Sequence, residues 1–128
     1  MNRYLLFASL LGFFTFGVHA IMGGIDTTVP LLSSAIDKEP KLTLYAVWHM
    51  VSVFLFISSL AVFYAAKKNS AHELALFVGV CYMLFAAVFL LVGIFEAGSI
   101  VLLPQWILLF PIGILCIVGS KKAMQSEL

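Results

Sequence analysis

Long apolar runs separated by short polar stretches organise this chain. Four of them, at about 4–25, 42–66, 74–97 and 100–119, each carry roughly the 20 residues that cross a hydrocarbon core about 30 Å thick. No water reaches the backbone there, so every run is predicted to close its hydrogen bonds internally as an α-helix. The fold class this predicts is an all-α membrane protein. Residues 1–128 form one domain, an antiparallel bundle of four transmembrane helices with both termini cytoplasmic. Pro111 falls mid-span in the fourth run, where a missing N–H and a ring clash predict a kink; Pro104 lies near the start of that run.

The stretch 26–41 is the longest connection and is predicted to be the outer loop. Pro30 is placed to open a short helix on which Val29, Leu32, Ala35 and Ile36 share one side. Such a side suits a helix lying at the interface; a lid over an outward-facing site is the functional alternative. The first run has a rival reading as a signal peptide, with Arg3 as its basic start and Val18-His19-Ala20 as a small-x-small cleavage motif. The histidine inside that motif argues for an uncleaved helix.

Composition closes off other classes. Of 128 residues, 63% are hydrophobic and 10% charged, against about 45–50% and 25% in soluble domains. A soluble globule this small lacks the interior to hide so much apolar surface. Soluble enzymes, disordered segments and nucleic-acid binders are excluded, and a net charge of +1 offers no footprint for nucleic acid. Charge placement orients the bundle. With cytoplasmic termini the inner side holds Arg3, Lys67, Lys68, Lys121 and Lys122, and the outer side only Lys38 and Lys41. That asymmetry follows the positive-inside pattern and suits a bacterial inner membrane. Cys81 and Cys116 both fall inside apolar runs, which predicts reduced, buried thiols.

Ionisable groups inside spans are costly, which makes them the first candidates for function. With about 1.5 Å of rise per residue, His19 lies roughly 9 Å below the outer end of its span and His49 roughly 10 Å below the outer start of its own. Glu96 ends the third span on that side and Gln105 opens the fourth. Every span thus brings a polar side chain to the outer leaflet, while the inner half holds only Ser, Thr, Tyr and Cys away from its ends. Ala8, Gly12, Thr15, His19, Gly23 and Asp26 fall within about 40° of one line at helical spacing, which points His19 into the bundle. Tyr45, His49, Val53, Phe56 and Phe63 share a side of the second span, and Tyr82, Phe85, Phe89, Val92 and Glu96 one of the third. Together these faces predict an aromatic-lined interior pocket capped by His19, His49 and Glu96.

Several chemistries fit those residues. His19, His49 and Glu96 are the donor types of a zinc or non-haem iron site, and Met22 and Met50 beside the histidines would suit copper(I). Histidines at matched depth on separate helices also fit the axial positions of one haem b. No HxxxH or HExxH spacing accompanies them. Trp48, Trp106 and Tyr45 are placed to flank a quinone ring, although an aromatic belt supplies the same residues. Against these stands a structural role: the histidines bond each other, a carbonyl or Tyr45, while Asp26, Glu96 and Gln105 mark the interface. No GxSxG, P-loop or Gly-rich dinucleotide turn is present. The function expected is a non-enzymatic accessory or binding subunit with a polar His/Glu site in the outer leaflet. Its partners are the bilayer and either copies of itself or a larger membrane complex. A metal- or haem-binding redox or transfer component using His19 and His49 is the alternative, and an oligomeric small transporter the third reading.

Overall fold

The computed structural model describes residues 1–125. All regular structure among them is helical: α1 (Arg3–Val18), a π-helical segment (His19–Thr28), α2 (Val29–Ser33), α3 (Lys38–Lys67), a 3₁₀ turn (Asn69–Ala71), α4 (His72–Phe95) and α5 (Trp106–Gln125). Four stretches are long and apolar enough to cross a membrane: Arg3–Ser33, Lys38–Lys67, His72–Phe95 and Trp106–Gln125.

Two boundaries depart from the hydropathy pattern. Residues 26–41 are mostly helix, not loop, because α1, the π segment and α2 run on as one stretch and α3 already begins at Lys38. Pro30 does sit in the first turn of α2, but that helix prolongs the first span. The last helix starts six residues later than position 100, at Trp106. Gly98 adopts a left-handed conformation (φ 62°) after α4, and the Ser99 N–H turns back to the Gly93 carbonyl at 2.8 Å. The apolar residues that follow form an irregular segment held by Trp106, whose Nε1 donates to the Ile100 carbonyl at 2.9 Å. Hydropathy records that this segment is apolar but not that its backbone turns. Helix α5 continues through Pro111, which leaves the Ile107 carbonyl without its usual donor.

Where the helices touch is decided by small residues. A Cβ added to Gly79 would lie 2.8 Å from the Cys116 Cβ and 3.1 Å from the Gly113 carbonyl oxygen; one on Gly113 would lie 3.0 Å from the Gly79 carbonyl oxygen. The backbones of α4 and α5 therefore cross in contact, as small residues in membrane helices permit. Gly119 of α5 makes the same room for Leu5 of α1, and Gly12 of α1 for Ser59 of α3. Helices α4 and α5, α1 and α3, and α1 and α5 form the three broad seams. The seam between α3 and α4 is narrow although the two are neighbours in the chain, and here Phe54 meets Tyr82 and Phe85 at ring-centroid distances of 5.8 and 5.0 Å.

The core is lined with short polar groups. Ser9 donates to the Ser59 carbonyl at 2.9 Å, and the Ser58 and Tyr82 hydroxyls lie 2.9 Å apart, all of them buried. Buried Ser59 and Ser120 return their hydroxyl protons to the carbonyls of Leu55 and Cys116 one turn back. Among the described residues no buried side-chain N or O atom lacks a partner. Both cysteines are free thiols, Cys116 buried and Cys81 half-buried.

At one end Asn2 ties three helices. Its Oδ1 accepts the N–H groups of Tyr4 and Leu5 as the N-cap of α1, and its Nδ2 donates to the Gly119 carbonyl at 2.8 Å. Its own N–H reaches the Ala66 carbonyl near the end of α3 at 2.8 Å, satisfying an acceptor that the helix terminus leaves open. Lys122 Nζ donates to the Tyr4 hydroxyl beside this knot.

Candidate functional site

Trp48 organises the opposite half of the first two spans. It extends the line of α3 that carries the buried residues Leu55, Ser59, Val62 and Ala66, and so it faces the first span. The His19 ring stacks on its indole with centroids 3.9 Å apart and planes 16° from parallel. His19 Nε2 lies 3.3 Å from the Trp48 carbonyl oxygen, which also accepts the Ser52 hydroxyl at 3.2 Å. A carbonyl accepts and never donates, so the Nε2 atom carries the proton in this bond. A Cβ at Gly23 would come within 2.8 and 2.9 Å of the six-membered ring of Trp48. The indole thus packs against both an imidazole and a bare stretch of backbone.

That backbone is the π-helical segment, ten residues from His19 to Thr28. π-Helices are rare and tend to sit at functional places. The Gly23-Gly24 pair lowers the local preference for α geometry, and the Val29 N–H closes an i→i−5 bond on the Gly24 carbonyl. The Thr28 hydroxyl donates to the same carbonyl at 2.6 Å. The wider turn rotates Asp26 off the bundle-facing line, and both Asp26 and Met22 are exposed.

His49, one residue beyond Trp48, is turned about 100° away from the first span. It is exposed and meets Tyr45 edge-on, with ring centroids 4.5 Å apart. The predicted interior pocket is corrected accordingly. Val53 and Phe56, which share the His49 side, are 62% and 41% exposed, and Phe85 is exposed as well. These residues face outward because the buried face of α3 is the Trp48 line. What the His49 face does line is a groove of about 680 Å³ between α3 and α4.

Comparison with protein-family models, curated proteins and solved structures finds no match. The residues themselves carry the chemistry.

They do not assemble as the donor set the sequence suggested. No hydrogen bond or ring contact among the described residues joins His19 to His49, because Trp48 occupies the face of His19. Glu96 closes α4 with its N–H on the Val92 carbonyl and its side chain exposed. Gln105 is exposed too, and its carbonyl accepts the Leu108 and Leu109 N–H groups as α5 begins. Among the described residues no group of three or more His, Cys, Asp or Glu side chains converges as a metal site. Haem ligation by two histidines needs both imidazoles turned to one iron. Here the His19 Nε2 is spent on a backbone carbonyl. The expected metal and haem arrangements are thus not supported by the geometry.

Sequence reasoning underrated two groups. The buried polar atoms of the bundle are hydroxyls of Ser9, Thr15, Ser58, Ser59, Ser120 and Tyr82, not outer-leaflet histidines. Their signal is the company of Ala and Gly on the same helical lines. The second is Trp48, which reads as belt but packs as a wedge.

Replacing His19 by Phe tests the imidazole bond while keeping a ring against the indole. The expected cost is about 0.6–1.7 kcal/mol, the range of hydrogen bonds between membrane helices. Unfolding in mixed detergent micelles followed by circular dichroism measures it. A larger loss in His19→Leu would give the added contribution of the stack.

Proposed function

We propose that the chain is a non-enzymatic accessory or binding subunit of a membrane, which takes an apolar partner molecule along the α3–α4 groove with His49 as its polar contact. The observation that carries this reading is the contrast between seams. Three are closed by small residues, whereas the fourth leaves an open, apolar groove of about 680 Å³ with His49 among the residues beside it. Cavities that bind small molecules run from about 300 to 1,000 Å³, mostly apolar with few polar groups. The site differs from a His/Glu pair in that Glu96 takes no part and His19 supports it through Trp48, the neighbour of His49.

The same reading places the four spans as an antiparallel bundle. The Asn2 knot supports it, since the start of α1 meets the ends of α3 and α5 there. Arg3, Lys67, Lys68, Lys121 and Lys122 gather toward that end, which is read as the cytoplasmic side of a bacterial inner membrane. Association with further copies or with a larger complex belongs to the proposal as well.

Native mass spectrometry of the chain released from mild detergent is the test. One small amphiphile retained per chain is the expected result. A bare chain in every detergent, after extraction directly from its membrane, would overturn the reading. A haem absorbance band would favour the redox alternative instead.

A further inference from the structure

The Asn2 knot gathers charge as well as helices. Arg3 follows Asn2 in the chain, Lys67 and Lys68 follow the bonded Ala66 carbonyl, and Lys121 stands two residues beyond the bonded Gly119. At about 3.8 Å per residue, each of these four is within roughly 8 Å of chain from a bonded atom. Lys122 joins them through its 2.6 Å bond to the Tyr4 hydroxyl. All five side chains are exposed, and among the described residues no carboxylate pairs with any of them. Glu73 is the one acidic side chain that the described residues bring to this end. Orienting a span needs only the sign of its flanking charge. Drawing cations from three helices to one point is a further property, and it concentrates positive potential there.

The depth of these cations narrows what they meet. Lys67 Nζ folds back over the Phe63 ring at 4.5 Å, Lys68 Nζ over Tyr64 at 5.8 Å and Lys122 Nζ over Tyr4 at 4.2 Å from the ring centroid. Phe63 and Tyr64 each lie one helical turn nearer the apolar run than the lysine above them. Three ammonium groups are thus held against aromatic rings, at the belt where headgroups meet hydrocarbon. A soluble anion or an acidic protein would approach from beyond that layer, whereas lipid phosphates lie within it. Below the Tyr4–Lys122 pair, Phe7 and Phe14 continue the same side of α1 and are 62% and 59% exposed, an apolar wall for an acyl chain.

Charge then sorts among headgroups. A zwitterionic headgroup brings its own ammonium, which these cations repel. An anionic one leaves its phosphate charge to be matched from the protein, as basic sites between membrane helices do.

We propose that the knot end of the bundle binds the phosphate of an anionic phospholipid through Arg3, Lys67, Lys68, Lys121 and Lys122, with an acyl chain along Phe7 and Phe14. This site is separate from the α3–α4 groove and does not depend on it. Native mass spectrometry of the full chain in detergent, titrated with dioleoyl phosphatidylglycerol or dioleoyl phosphatidylcholine, is the test. The glycerol lipid is expected to bind about tenfold more tightly than the choline lipid, or better. Arg3→Gln and Lys121→Gln, whose side chains make no hydrogen bond among the described residues, should each weaken it about fivefold, the worth of one cation beside an anionic surface. Neither change should alter binding of the choline lipid. Lys38→Gln removes the same charge at the opposite end and should leave both affinities unchanged. Equal affinity for the two lipids would overturn the recognition of charge. A loss in Lys38→Gln as large as in Lys121→Gln would overturn the site and leave only an effect of net charge. Displacement of the glycerol lipid by inorganic phosphate at matched concentration would overturn the lipid as its occupant, in favour of a soluble anion.

Discussion

Gly79→Leu is expected to unfold the bundle or leave it marginal, with a loss of about 3 kcal/mol or more. Adding methylenes to a packed core costs roughly 1–3 kcal/mol when flexible side chains can give way. At this crossing they cannot. A Cβ on Gly79 meets the Cys116 Cβ and the Gly113 carbonyl oxygen, both within 3.1 Å, so α4 and α5 must separate along their whole seam. Against a typical net stability of about 5–15 kcal/mol, that is a large fraction. Gly113→Leu should behave similarly, since Met83 and the Gly79 carbonyl crowd it from the other side. Gly17→Ala is the control. Nothing lies within 4 Å of a Cβ there, and the better helix former should leave stability unchanged or raise it by up to about 1 kcal/mol. Denaturation in mixed micelles and elution volume in detergent would read all three variants.

The second large effect is expected at Trp48. Tryptophan-to-alanine changes in full cores cost about 3–5 kcal/mol; this indole is half-buried, so about 2 kcal/mol is expected. The change removes the face against which His19 stacks and the wedge seated on Gly23. With the wedge gone, amides 19–28 should exchange hydrogen faster while those of α1 keep their protection, because only the π segment loses its support. His49→Ala, one residue along and exposed, should shift stability by no more than about 0.5 kcal/mol. Comparable losses at the two positions would refute the division of labour between them. That division underlies the proposed function: Trp48 packs the first two spans together, and exposed His49 is left for a contact outside the bundle.

Much of the fold was written in the hydropathy pattern, since the number of spans follows from how many apolar runs can reach across a bilayer. Their ends were less legible. Residues 100–105 are as apolar as a span, yet the left-handed Gly98 and the Trp106 bond to Ile100 keep them out of α5. The π segment could not be read either, because α and π geometry bury similar residue types and differ only in which neighbours share a face. The site shows the same limit at finer scale. Depth counting brought His19 to the correct level of α3 but to the wrong side chain. A one-residue offset is about 100° of rotation, and it put Trp48 where His49 was expected. Scarcity of charge drew attention to histidines and Glu96, while the satisfied polar interior was assembled from serines and Tyr82.

The Asn2 knot also sets a timetable. Its side chain bonds Gly119, 117 positions later, and its backbone bonds Ala66. At about 5–20 residues per second of synthesis, the α5 partner of α1 emerges roughly 6–23 s after Asn2 itself. During that interval α1 sits in lipid with one flank already matched by α3, through Ser9 and the Ser59 carbonyl, and the other bare. The ring of helices closes when the last-made segment meets the first-made one. A ribosome stalled before Gly119 would therefore leave a half-ring, a species open to capture by quality-control proteases, and completion of the final helix is what ends that exposure.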